Sequence, residues 1–142
     1  MKSVALILRE QRESLWQRWV EALDGVVEED YRQLLASHLG ERVVRDITHD
    51  LVACAEAEPY ELPSLLRVAG DRVAAETTSR LALGFSALDV VRALQVLRRV
   101  TLDVLVDALA TDEMPSFADT LLQLKSAESY LDALVCAVVS AA

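Results

Sequence analysis

The stretch "SALDVVRALQVLRRVTLDVLVDALA", residues 86–110, decides the fold class. It contains no Gly or Pro, and its apolar residues recur at three- and four-residue steps, the signature of one face of an α-helix. With Val90 set at zero and a step of ~100° per residue, Leu94, Leu97, Thr101, Val104 and Ala108 fall within about 40° of it. Val91, Leu102, Leu105 and Leu109 widen that arc to about 120°. Asp89, Arg92, Arg99, Asp103 and Asp107 gather on the opposite side, a solvated face. Arg98 lies near 80°, inside the apolar arc. An unpaired guanidinium there is costly, so Arg98 calls for a partner. Three are open: water reached past the core edge, an acid on another helix, or an anion in a cavity that Arg98 lines. Arg98 is thereby the candidate ligand or cavity residue.

Working outward, "LGFSALD" (83–89) is the clearest punctuation. Gly84 ends one helix, Ser86 is a good N-cap, and Asp89 three residues on is the acidic member of a capping box. Five further helices are expected. The first runs from about Ser3 to Leu23, with Leu8, Leu15, Trp16, Trp19 and Leu23 on one face and Gly25 as its stop. The second spans about Glu28 to Leu39 and is broken by Gly40. The third runs from about Glu41 to Ala57, with Val43, Val44, Ile47, Leu51, Cys54 and Ala55 as its stripe. Pro63 suits the first turn of the fourth, which extends to about Leu83. Gly70 inside it is unfavourable for a helix and fits a close helix crossing. The sixth begins at Pro115 or Ser116 and continues to the end of the chain. Helices joined by short breaks imply one all-α domain over 1–142, with globin-like or helical-bundle packing.

The composition agrees. The chain has 142 residues, 53% of them hydrophobic, with only four Gly and three Pro. Its net charge of −9 disfavours nucleic acid or an anionic membrane surface as partner. No apolar run reaches the ~20 residues of a membrane span, and "SVALIL" is too short for a signal-peptide core. A cytoplasmic location is expected. Cys54 and Cys136 form neither a CxxC pair nor a metal spacing, and both are expected as free, buried thiols.

Two histidines carry the remaining chemistry. His49-Asp50 has the order of a phosphoacceptor dipeptide, but lacks the Lys and Gly that usually follow. His49 falls on the polar face with Arg42, Arg45, Asp46 and Glu56, so a solvated histidine is the main reading and phosphotransfer the alternative. His38 falls in the stripe of the second helix beside Tyr31, Leu34 and Leu35. An inward histidine is what a haem iron needs as axial ligand. A hydrogen-bonded core or helix-end histidine is the main reading, and a haem-binding gas sensor the alternative. No Glu-x-x-His, phosphate loop, HExxH or GxSxG occurs, so no metal site, no cofactor and no enzyme are expected.

In the last helix, Phe117, Leu121, Leu124, Glu128, Leu131, Val135, Val138 and Ala142 follow a 4,3 spacing, a heptad seam with one polar insertion. Such a seam packs on the chain's own core or pairs with its twin. The end at "VVSAA", without a polar tail, is expected of an N-terminal piece of a longer protein.

"RLALGFSALDVVRALQVLRRV" (80–100) resembles the Arg-x-x-x-x-(Asp/Phe)-Ser…Leu-(Lys/Arg) segment of the RsbR-type N-terminal sensor domain, also called the RsbT co-antagonist N-terminal domain. "ESLWQRWVEAL" (13–23) is similar to its opening helix with an inward Trp, and "LASHLGERV" (35–43) stands where that family has an Asn-Pro-Val-Gly turn. His38-Leu39 replaces Asn-Pro, and Gly84 replaces an acidic or polar residue. The resemblance covers about residues 5–110 in consistent order. It implies a globin-like fold without haem, a homodimer, and a role in stress-response or sensor-kinase signalling that relays a signal to a C-terminal output module.

Overall fold

The computed structural model describes residues 3–111 and 117–141, with side chains at 3–108 and 121–141. The fold is all-α. Seven helices follow in order among the described residues: α1 (Val4–Glu10), α2 (Arg12–Ala22), α3 (Glu29–Ala36), α4 (His38–Glu56), α5 (Leu62–Ala82), α6 (Ala87–Thr111) and α7 (Phe117–Ala141). None is long and apolar enough to cross a membrane.

The expected first helix is two. It bends at Gln11, whose φ of −96° and ψ of 5° leave the α region. The Gln11 N–H still donates to Ile7 O at 2.9 Å, and Gln11 O still accepts from Leu15 N at 2.8 Å. Gln11 is thus tied into both helices, and neither Gly nor Pro marks the bend.

The second and third helices divide at Ser37, not at Gly40. Ser37 is extended (ψ −176°), and its side chain accepts from Leu39 N to cap α4. Gly40 lies within α4's first turn and serves a close approach instead: a Cβ there would overlap the Leu35 carbonyl. The tight α3–α4 corner therefore requires glycine at 40. Gly70 matches its expectation, since its nearest neighbour across the crossing is the Ala137 Cβ at 3.7 Å, and α5 packs more extensively on α7 than on any other helix.

The α5–α6 corner is the one read from "LGFSALD". Gly84 takes φ +94°. Phe85 N donates to Arg80 O at 3.2 Å and Gly84 N to Leu81 O at 3.0 Å, a Schellman ending. Ser86 Oγ accepts from Asp89 N at 3.1 Å. Asp89 does not complete the box. Its carboxylate accepts from Glu28 N at 3.1 Å, capping α3 from a distance, and the residue is buried.

One continuous core runs from α1 to α7. In α6 it takes Val90, Ala93, Leu94, Val96, Leu97, Val100, Thr101, Val104 and Leu105. That arc is centred about 70° from the expected one, towards Ala93 and Val96, at ~100° per residue. The cause is α2: Trp19 Nε1 donates to Ala93 O at 2.8 Å, a contact that a small side chain at 93 permits. The rotation brings Asp89 inside and leaves Arg98 at the rim, while Arg92, Arg99, Asp103 and Asp107 stay exposed as expected.

In α7 the buried residues are Ala127, Tyr130, Leu131, Leu134 and Val138. Leu124 and Val135 of the expected seam are partly buried against the same core, whereas Leu121 and Glu128 face out. This stripe thus covers the chain's own interior. Phe117's side chain, Ala142 and the expected start at Pro115 or Ser116 lie outside the described residues. Cys54 is buried as expected. Cys136 is exposed, because it faces away from the Leu134–Val138 stripe.

Candidate functional site

Charged residues at helical spacing on α5 organise the interior. Leu62, Leu66, Ala69, Val73, Glu76 and Arg80 follow a 4,3 spacing, so the stripe that buries Ala69 and Val73 carries Glu76 and Arg80 inward too. Arg72 and Arg80 flank Glu76, each 3.8 Å from one of its oxygens. Arg80 is 9% exposed, and its Nε has no hydrogen-bond partner among the described residues.

Arg72 turns to α4 and α7. Its Nη2 lies 2.6 Å from Asp50 Oδ2. The same carboxylate oxygen accepts the Tyr130 hydroxyl at 2.9 Å, and Arg72 Nη2 reaches that hydroxyl at 3.5 Å. Asp50, Arg72 and Tyr130 thus form a triangle joining three helices. Burial raises the Tyr130 pKa and Asp50's negative charge raises it further, so the phenol stays protonated and donates. Burial opposes the charge on Arg72, but the Asp50 hydrogen bond and charge outweigh it and raise its pKa.

Glu76, Arg80 and Val43 line two spaces. Inward is a cavity of about 30 Å³ walled by Trp19, Tyr31, Thr77 and Leu97. That is room for one or two waters. Outward is a cleft of about 320 Å³ between α4 and α5, reaching Leu39 and Leu83. Tyr31 stands at the inner cavity with its ring 5.1 Å from Phe85. Burial pushes its phenol up to about 12.

Arg98 meets acids of α7. Its Nη1 lies 2.7 Å from Asp132 Oδ1 and its Nη2 3.2 Å from Glu128 Oε1. The guanidinium is 34% exposed, and the polar insertion of the heptad seam is its partner. The middle of α7 is therefore gripped twice. Arg98 of α6 holds Glu128 and Asp132, and Asp50 with Arg72 holds Tyr130, about 160° around the helix from both.

The histidines part company. His38 is not inward: its side chain is fully exposed and sits 3.4 Å from Glu41. The break at Ser37 puts it in α4's first turn, off the Tyr31–Leu35 stripe, so it cannot reach an interior iron. His49 is exposed on α4. The structure brings none of His38, His49 and Arg98 together.

Sequence reasoning missed Asp50, Arg72, Glu76, Arg80 and Tyr130. The signal was present for α5, since its apolar repeat runs through Glu76 and Arg80. Asp50 and Tyr130 gave none, because only the tertiary fold joins them. No family model matches the chain, and no curated protein or solved structure matches it.

Proposed function

We propose that this chain is a non-enzymatic sensory and signal-transduction domain of the RsbR type, cytoplasmic and homodimeric, that relays a signal to a C-terminal output module. The observation that carries the reading is the double polar grip on α7. Apolar packing alone tolerates small slides of a helix, whereas ion pairs and hydrogen bonds have discrete partners and favour discrete arrangements. A signal that binds one arrangement better shifts the population towards it. The triangle of Asp50, Arg72 and Tyr130 reaches from α7 into the same α5 face that carries Glu76 and Arg80. A change at the interior cavity therefore has a short polar route to α7. The exposed apolar side chains Leu121, Leu122 and Val139 on α7 offer surface for a second copy.

Sedimentation equilibrium tests the dimer. At high micromolar concentration the mass is expected to be twice that of the chain. A single monomeric species throughout that range would overturn the homodimeric reading.

A further inference from the structure

Against an overall charge of −9, one groove is basic. It runs along α4 beside the α1–α2 bend, with a volume of about 590 Å³, in the range of small-molecule sites. Arg9 and Arg12 flank the bend at Gln11, and Arg45 and His49 project from α4. Val52 and Ala53 give the groove an apolar floor. The one carboxylate in its lining is Glu56, which takes Arg9 at 2.9 Å. Arg45 is only loosely engaged, 3.8 Å from Glu41. Arg12 has no ion pair among the described residues. With Glu56 set against Arg9, the arginines still leave the groove net positive, a place to which an anion is drawn.

A second observation points the same way. Thr48 stands in the groove wall, only 4% exposed, and its hydroxyl has no hydrogen-bond partner among the described residues. A helical threonine packed away from water normally gives its hydroxyl to the carbonyl four residues back. Thr77 and Thr101, both buried, do so, to Val73 O at 2.8 Å and Leu97 O at 2.7 Å. Thr48 does not. A buried hydroxyl without a partner is costly, and this one lies in the wall of the arginine-lined groove with its oxygen shielded from the open space.

We propose that this groove binds a phosphomonoester, with Arg9, Arg12 and Arg45 around the phosphate, and that Thr48 turns its now shielded hydroxyl towards the groove to donate to it. Guanidinium forks match the geometry of phosphate oxygens. The apolar floor at Val52 and Ala53 takes the carbon side of the molecule. His49 shares the groove, so its exposed place beside the arginines gains a role without covalent chemistry.

Calorimetric titration of the whole chain with glycerol phosphate, with inorganic phosphate, and with vesicles containing phosphatidic acid tests this. Saturable binding of glycerol phosphate at millimolar concentration or below is expected, stronger than that of inorganic phosphate. Binding to the vesicles alone would identify the source as a lipid headgroup while keeping the chemistry. Arg45→Gln and Arg12→Gln are each expected to weaken binding about tenfold, the effect of losing one charge-assisted contact. Thr48→Val separates this site from a structural account. It removes an unsatisfied buried hydroxyl, so Tm rises by about 3 °C, while binding weakens at least several-fold. Failure of all three probes to bind overturns the proposal, and so does binding that none of the three substitutions changes.

Discussion

At the scale of single residues, environment rather than residue type sets the behaviour. Arg98 and Arg80 both interrupt apolar helix stripes, yet one is a third exposed at the rim and the other is nine-tenths buried. Arg98→Ala is expected to cost about 1 kcal/mol in chemical denaturation, since its ion pairs are half exposed and part of the loss is packing of its stem. Asp50→Asn is expected to cost about 2–3 kcal/mol, because Asp50 is much less exposed than Glu128 and Asp132 and its loss leaves Arg72 without its main countercharge. The thiols divide in the same way. A maleimide reagent should modify Cys136 within minutes in the native protein and reach Cys54 only on unfolding, since Cys54 is buried and burial holds its thiol up at about 11. The partner of Arg98 was one of three readings open from the sequence, and Glu128 was visible there as the odd polar residue in the heptad. What could not be read was that these two oddities meet, because they lie thirty positions apart.

At the scale of helices, glycines test the account sharply because two of them look alike in sequence and differ in space. Gly40→Ala should destabilise by about 3 kcal/mol or more, since its Cβ meets the Leu35 carbonyl and backbone must shift. Gly70→Ala should be neutral or stabilise by up to about 1 kcal/mol, since Ala137 stands at ordinary contact distance and alanine favours helix. Equal effects of the two would contradict the corner geometry. The helix content, the α5–α6 corner and the α4 stripe were legible because each is a local pattern of apolar spacing, capping residue and glycine. The bend at Gln11 was not, since Gln11 is tied into both helices and the segment carries no Gly or Pro breaker. The rotation of α6 was not either, because alanine signals burial weakly and the rotation depends on where Trp19 docks. That one rotation accounts for both misplacements on α6, Asp89 and Arg98.

At the scale of the whole molecule, buried titratable groups give stability a predictable pH dependence. Free thiols and phenols release protons near their ordinary values of 9.0 and 10.0, whereas the fold holds Cys54 to about 11, Tyr31 to about 12 and Tyr130 higher still. Between those limits the native state binds more protons than the unfolded chain, so stability falls as pH rises. The decline should begin near pH 9 with Cys54 and steepen above pH 10 as the two tyrosines join, by about 1.4 kcal/mol per pH unit for each group. Denaturant melts at a series of alkaline pH values measure it, and a flat profile from pH 9 to 12 would contradict the burial of these groups. Two polar contacts fix the middle of α7 to the rest of the domain. Amide hydrogen exchange across residues 126–134 tests it most directly, comparing the native chain with Tyr130→Phe and with Arg98→Gln. Faster exchange concentrated in that segment is expected for each variant, larger when both are combined, with α1 to α4 still protected. Exchange that rises uniformly over the whole chain, or does not rise in α7 at all, would contradict it.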